Sequence, residues 1–184
     1  MIKITDKEKC CGCHNCALVC PKNCITMKED EEGFLYPAVD EDKCIDCGIC
    51  EKSCPIISPL ENNKALNDIT SYAAYSKNDD IRLNSSSGGM FTHLARSVIN
   101  AGGVVFGAAF DEKFGVHHIC VDNLDDLCKL RGSKYLQSIV GSSFKEAEDY
   151  LKKGTKVYFS ATPCQISALL KKKKKDYDNL ITQD

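Results

Sequence analysis

Cys10-Cys11-Gly12-Cys13-His14-Asn15-Cys16-Ala17-Leu18-Val19-Cys20-Pro21 is matched 34 positions later by Cys44-Ile45-Asp46-Cys47-Gly48-Ile49-Cys50-Glu51-Lys52-Ser53-Cys54-Pro55. Both stretches carry the register C-x2-C-x2-C-x3-C-P, an internal duplication within the first third of the chain. The chain has 184 residues and 13 cysteines, and ten of those cysteines lie between Cys10 and Cys54. A two-residue gap lets one tightly curled loop aim three thiolates at a common centre. Gly12 and Gly48 sit inside the loops, where a positive φ costs little and the backbone can approach closely. The fourth cysteine follows three residues on, at the expected start of a short helix and just before proline. Such a pattern points to metal ligation and not to scattered structural thiols.

The repeated run is the signature of bacterial-type ferredoxins with two [4Fe-4S] clusters, in which the fourth cysteine of each run ligates the other cluster. The spacing therefore predicts a crossed ligand set: Cys10, Cys13, Cys16 and Cys54 for one cluster, and Cys44, Cys47, Cys50 and Cys20 for the other. A pair of zinc knuckles is the alternative for C-x2-C pairs, but two full repeats, each closed by proline, favour iron–sulfur chemistry. Between the runs, Ile25 to Lys28, a turn at 30–33 and Phe34 to Tyr36 read as a small hairpin able to cover the clusters. Cys11 and Cys24 stand outside the register and read as spare thiols.

Composition sets the wider frame. With 43% hydrophobic residues, 24 basic and 26 acidic side chains and a net charge of -2, the chain has the make-up of a folded, water-soluble protein with no global pull toward nucleic acid. Residues 1–60 hold 7 basic and 11 acidic side chains, a net of -4, and the remainder holds 17 and 15, a net of +2. The acidic first part suits a basic docking partner, although solubilisation alone also accounts for it. Met1 to Lys9 lacks the apolar stretch of a secretory signal. The longest apolar run, Val104 to Phe110, falls well short of the ~18 residues a membrane helix needs. The expectation is a cytoplasmic chain without a membrane span, in which cysteines serve metal or redox chemistry.

The division predicted is a ferredoxin-type domain over 1–57, a linker over 58–68 and a second domain over 69–184. The fold class is α+β: a bacterial-type 2[4Fe-4S] ferredoxin module followed by an incomplete α/β domain. In the second domain, Thr70 to Ser76 reads as a strand, Gly88 to Asn100 as a helix, Val104 to Phe110 as a buried strand and Val116 to Val121 as its partner. Phe144 to Lys153 reads as an amphipathic helix and Lys156 to Ser160 as a strand leading into a helix near Gln165. Three stretches exceed plain connectors. Ser85-Ser86-Ser87-Gly88-Gly89 opens a helix, as a serine cap followed by a flexible turn commonly does and as an anion cradle would. Arg131-Gly132-Ser133-Lys134-Tyr135-Leu136-Gln137-Ser138 packs two cations, two hydroxyls and an aromatic into one loop, which suits ligand handling or equally a solvated loop. Thr162-Pro163-Cys164-Gln165 places a thiol between a strand end and a helix start, where α/β folds build sites. The lysines 171–175 could attract an anionic coenzyme or simply complement the end of the last helix. His117-His118 should point to opposite faces of a strand and thus not form a metal site. No G-x-G-x-x-G fingerprint is present.

A two-cluster module followed by S-S-G-G, R-G-S-K-Y and T-P-C-Q resembles the coenzyme F420 hydrogenase/dehydrogenase beta subunit family. The resemblance implies an iron–sulfur flavoprotein that passes electrons between clusters, FAD and a soluble hydride carrier, F420 or similar, while exchanging electrons with a donor or acceptor protein. It implies FAD contacts from Ser86, Ser87, Gly88, Gly89, Lys134, Tyr135 and Thr162, and it makes Cys164 a ligand of a third [4Fe-4S] cluster near the flavin. Members of the family continue beyond T-P-C-Q with further cysteines, so this chain reads as truncated at its C-terminus, with the third cluster confined to a longer form. The main alternative is a ferredoxin-like electron carrier whose second domain only docks a partner; a redox-responsive module sensing through Cys164 is a further one.

Overall fold

The computed structural model describes residues 1–4, 6–60, 69–172 and 176–184. Most of the predicted linker, residues 61–68, lies outside the described residues.

In the first part, a short 3-10 turn at Lys7–Lys9 leads into the first cysteine loop and helix α1 (Asn15–Leu18). Strands β1 (Ile25–Glu29) and β2 (Leu35–Val39) pair antiparallel with Ile25 opposite Val39 and Glu29 opposite Leu35, as the hairpin reading expects. Asp30 closes the turn, its carboxylate accepting the N–H groups of Glu32 and Phe34 at 3.1 Å each. The second cysteine loop runs into α2 (Ile49–Ser53). The core between these pieces consists of Ile2, Cys16, Cys24, Ile25 and Cys50. Three of those five are thiols, so the apolar core alone is thin for a module this small, and metal must carry part of its stability.

The second part is built on a four-stranded sheet in the order β4-β3-β5-β6. Strand β3 (Val104–Phe110) runs antiparallel to β4 (Val116–Val121) and parallel to β5 (Val157–Ser160), which in turn runs parallel to β6 (Leu180–Gln183). Val104 to Phe106 are buried on both faces, which explains why β3 is a continuous apolar run and not an alternating one. One face, through Phe106, Val157 and Phe159, packs against α5 (Ser143–Lys152) and α6 (Pro163–Lys172). The other face, through Val105, Ala109 and Tyr158, packs against Ala95 and Val98 of α4 (Met90–Asn100) and against Leu127 and Leu130 of a 3-10 turn.

One expectation fails. Residues 70–76 form no strand, because no neighbouring edge is there to pair with; Tyr72 is 85% exposed and the Ser76 N–H reaches only the carbonyl of Gly88, at 2.6 Å. A short helix, α3 (Asp79–Leu83), stands after it instead, with the Asn78 side chain accepting the Ile81 N–H at its start.

The two parts are in contact. Asn15, fully buried, donates through Nδ2 to the carbonyls of Ser53 at 2.9 Å and of Ala168 at 3.2 Å, joining α1 to α2 and to α6. The Leu35 N–H donates to Gln137 Oε1 at 3.1 Å, and Lys171 Nζ donates to the Lys52 carbonyl at 3.2 Å. Cys13 belongs to the same buried cluster as Phe106, Phe144 and Leu169. Asn15→Ala strips partners from two carbonyls in a dry contact. It is expected to cost about 2 kcal/mol, read as a lower denaturant midpoint; an unchanged midpoint would remove Asn15 from the joint.

Candidate metal centres and the adjoining cavity

The duplicated cysteine loops share a backbone trait that spacing does not display. Each bends left-handed at two positions: Gly12 (φ 56) and His14 (φ 64) in the first, Asp46 (φ 49) and Gly48 (φ 70) in the second. Adding 34 to 12 and 14 gives 46 and 48, so these positions correspond. Gly12 and Gly48 are therefore not equivalents; each loop supplies one bend with glycine and tolerates a side chain at the other. At Gly12 a Cβ would stand 2.0 Å from Gln137 Nε2, so this glycine also admits the neighbouring part.

The fourfold thiol sets emerge crossed. One cavity, of about 140 Å³, is lined by Cys10, Cys13, Cys16 and Cys54 together with Cys11, with apolar walls from Ile2, Met27 and Ile57 and with Lys3, Asp6 and Lys9 at its edge. A second, tighter one of about 20 Å³ is lined by Cys20, Cys44, Cys47 and Cys50 together with Cys24, with Ile25 and Val39. The hairpin thus contributes to both shells, as the sequence suggests. Converging thiols are the donor set an iron–sulfur cluster requires, and each cavity brings one complete crossed set together. Among the described residues, no three His, Cys, Asp or Glu side chains converge on a point suited to a single metal ion; the thiols surround open volume. Burial pushes the Cys16 thiol up to about 12, with Cys10, Cys54 and Cys50 adding to the effect, so loading metal there must displace protons.

Cys24 lies with the second set, its Sγ 3.3 Å from that of Cys20. Cys11 lines the first cavity as well, and the Cys13 thiol beside it, with burial, raises its pKa to about 11. Cys11 thus has thiol neighbours although its place outside the register reads as spare, and neither Cys120 nor Cys128 is brought to Cys164. Cys120 instead bonds Tyr150, and Cys128 donates to the Asp125 carbonyl at 3.2 Å. A thiol at a helix start would ordinarily ionise more readily, but Cys164 is half-buried, and the neighbouring Cys11 thiol followed by burial raises its pKa.

The second-domain motifs meet only in part. Ser86, Ser87, Gly88 and Gly89 line a cavity of about 330 Å³ with Arg131, Thr92 and the strand ends Ser160 and Gln183. It lies at the N-terminus of α4 and the carboxyl ends of β5 and β6, a usual location for ligands in parallel sheets. The Ser133 N–H donates to Ser86 Oγ at 2.9 Å, tying the S-S-G-G and R-G-S loops together. Thr92 is 1% exposed, yet its Oγ1 has no partner, and neither has Arg131 Nε. Buried polar atoms left open beside a cavity fit a polar or anionic ligand. Gly88 has another duty, since a Cβ there would come within 2.4 Å of the Ala74 carbonyl.

Lys134, Tyr135 and Thr162 do not line this cavity. Lys134 Nζ turns back onto the carbonyls of Arg131 at 2.8 Å and Lys129 at 3.2 Å, and burial lowers its pKa. Tyr135 is 93% exposed. Thr162 Oγ1 lies 3.0 Å from Gln165 Oε1 and 3.2 Å from Cys164 Sγ, at the start of α6. Of the lysine run, Lys171 meets Lys52 and Lys172 pairs with Glu148 at 3.3 Å; residues 173–175 lie outside the described residues.

The histidines divide as expected. His117 pairs with Asp111 at 2.9 Å on the outer face, while His118 is buried, 2.6 Å from Ser138 Oγ and stacked on Phe159. Burial holds the His118 pKa down to about 4, from an ordinary 6.5. As pH falls, the unfolded imidazole takes its proton first, so acid favours unfolding: stability is full above pH 6.5 and declines toward pH 4, by about 3 kcal/mol in all. Replacing His118 with Gln is expected to flatten that part of the pH–stability curve; parallel curves for the two proteins would acquit His118.

Comparison with known proteins follows this geometry. Residues 9–56 match the model of the 4Fe-4S dicluster domain. The first part of the chain is therefore a domain of the iron–sulfur ferredoxin class. Residues 71–145 match the model of the coenzyme F420 hydrogenase/dehydrogenase beta subunit, N-terminal part, so the resemblance read from the later motifs holds and the chain joins these two family domains. Pyruvate synthase subunit PorD of Methanothermobacter marburgensis is 47% identical over 51 residues, 28% of this chain and 53% of that protein. The coenzyme F420-dependent sulfite reductase of Methanocaldococcus jannaschii is 29% identical over 175 residues, 92% of this chain but 26% of that protein. An uncharacterized protein of the same organism is 26% identical across 97% of this chain and 56% of its own length. The chain thus spans only part of the length of these relatives. No helix among the described residues is long and apolar enough to cross a membrane.

Proposed function

We propose that this chain moves electrons between a protein partner and a flavin, through two [4Fe-4S] clusters, with a soluble hydride carrier of the F420 type as the final acceptor or donor. In this reading Cys10, Cys13, Cys16 and Cys54 hold one cluster, Cys20, Cys44, Cys47 and Cys50 hold the other, and the chain divides at the 58–68 linker. The observation that carries it is the pairing of two cavities with the two crossed thiol sets, the first set lying against the α/β part. When bound, the clusters supply single-electron steps and FAD supplies the conversion to electron pairs.

The protein's own groups account for binding. The start of α4, with Ser86 to Gly89, offers N–H donors and a positive dipole end to a phosphate or reduced ring. Arg131 adds a permanent cation with an open Nε, and the Thr92 hydroxyl supplies a further contact in the dry wall. Lys134 acts by holding the R-G-S-K-Y loop through its carbonyls. The hairpin and Ile2, Ile57 and Val39 exclude water from the thiol sets. The relative named as an F420-dependent sulfite reductase supports the choice of hydride carrier.

Anaerobic purification of this chain and of any longer reading frame that contains it, followed by iron, sulfide and flavin analysis, tests the proposal. About eight irons per chain with bound flavin is the expected result. Eight irons without flavin in either form would favour the carrier with a docking domain, and an iron content below four would defeat both.

A further inference from the structure

The loop that lines the S-S-G-G cavity also reaches the first thiol set, and Gln137 is where it arrives. The loop leaves the cavity after Arg131, is tied to Ser86 through the Ser133 N–H, and runs over the surface at the exposed Tyr135 and Leu136. It is pinned again at the buried Ser138, whose hydroxyl lies 2.6 Å from His118 Nδ1 and whose carbonyl accepts Gln165 Nε2 at 3.2 Å. Between these fixed points the half-buried Gln137 side chain extends to the other module. Its Oε1 accepts the N–H of Leu35, 102 residues earlier in the chain, at 3.1 Å. Its Nε2 lies against Gly12, at the place where a Cβ on that glycine would also meet the Leu35 carbonyl. Gly12 is one of the left-handed bends of the first cysteine loop and stands between Cys10 and Cys13 of the first thiol set. One amide group therefore joins the hairpin, the first cysteine loop and the loop of the cavity.

We propose that Gln137 is a positioning residue for the first thiol set: the second part of the chain reaches across and clamps the Cys10–Cys13 loop to the hairpin, and so fixes the surroundings of the cluster held there. The proposal rests on the reading of Cys10, Cys13, Cys16 and Cys54 as one ligand set. How firmly a cluster holds its iron, and at what potential it accepts an electron, depend on the groups behind its ligands, through the hydrogen bonds and the access of water that they allow. The second set has no such clamp. In its loop the position that corresponds to Gly12 is Asp46, whose side chain is 79% exposed and pairs with the Met1 amine of its own module. The effect of Gln137 is therefore confined to one of the two sets. Because the same loop carries Arg131 at its other end, the cavity and the first thiol set share one support.

The test uses the full chain, purified anaerobically. Iron release to an excess of chelator is followed together with alkylation of the freed thiols, mapped by mass spectrometry. Gln137→Leu removes both ends of the clamp. It is expected to release about half of the iron about tenfold faster than the wild type, with Cys10, Cys13, Cys16 and Cys54 alkylated first. Gln137→Glu keeps an acceptor for the Leu35 N–H and should release iron at the wild-type rate. Its added negative charge should lower the midpoint of one reduction wave and leave the other in place, as followed by low-temperature electron paramagnetic resonance. Lys171→Ala, which loosens the contact between the two parts at Lys52, should alter neither release nor waves. A wild-type rate in Gln137→Leu overturns the proposal. So does equal acceleration of both halves of the iron, or an equal effect of Lys171→Ala, either of which would make Gln137 a general support of the joint. If Gln137→Leu does not fold, two unmoved waves in Gln137→Glu overturn it. Wild-type iron far below about eight per chain would defeat the cluster reading itself and the proposal with it.

Discussion

Replacing Cys10 and Cys54 together with alanine is expected to leave about four irons per chain, whereas replacing Cys44 and Cys54 together is expected to leave almost none. The two double variants differ by one residue, yet they separate the crossed from the uncrossed ligand set. If each C-x2-C-x2-C-x3-C run bound its own cluster, the outcomes would be exchanged. The expectation rests on the thiol sets that line the two cavities: Cys54, though 44 positions from Cys10 in sequence, closes the first set, and Cys20 closes the second. Helices α1 and α2 lie against each other, which brings each fourth cysteine to the opposite loop. Cys24→Ala serves as the control, because its thiol lies beside Cys20 without belonging to the register, and iron should stay near the wild-type level. Iron and sulfide assays with low-temperature electron paramagnetic resonance of the reduced protein would count the surviving centres.

Arg131→Ala is expected to weaken FAD binding about tenfold to a hundredfold, the effect of removing one charged hydrogen-bond partner. The reason is the open Nε of Arg131 in a cavity that also contains the start of α4 and the unpartnered Thr92 hydroxyl. Thr92→Val, which keeps the shape and removes the hydroxyl, should weaken binding more modestly. Lys134→Ala should act less than Arg131→Ala, because its ammonium group already binds two backbone carbonyls and does not reach the cavity lining. Flavin fluorescence titration of a form that retains FAD would measure all three. If Lys134→Ala proved the most damaging and Arg131→Ala had no effect, the flavin would lie on the other side of the R-G-S-K-Y loop, with Tyr135.

The thiol register could be read from sequence because ligation imposes spacing, and spacing survives in one dimension. Strand β3 could be read because a strand covered on both faces must be apolar throughout, and its helices because Gly102 and Gly154 stop them. Thr70 to Ser76 misled because its tyrosines, alanines and hydroxyl residues have a strand-like composition, but among the described residues it pairs with no strand. The cavity motifs were legible as unusual composition, but which side chains turn inward depended on carbonyls and loops from elsewhere: Arg131 is left open while Lys134 is occupied. Cys11 was missed for a related reason. Standing next to Cys10 and out of register, it had only its neighbour to speak for it, and the Cys164 thiol near it was far away in sequence. Asn15 offered no signal beyond being a polar residue between two ligands; its value comes from the two carbonyls that converge on it.

The left-handed bends at Gly12 and His14, and at Asp46 and Gly48, bear on how the duplicated loops have aged. Two copies of one loop kept the same contour while the glycine moved from one bend to the other. In each copy a residue with a side chain now occupies a conformation that costs about 1 kcal/mol or more. Close thiols with a raised pKa stay neutral at ordinary pH and cost the fold nothing there, but they must give up their protons when metal enters. The left-handed bends are met in part by the contacts of Asn15 and Cys13 with the second part, and metal binding adds to them. For this chain the supply of iron and sulfide is on this account expected to shape the first fifty residues as well as their redox activity.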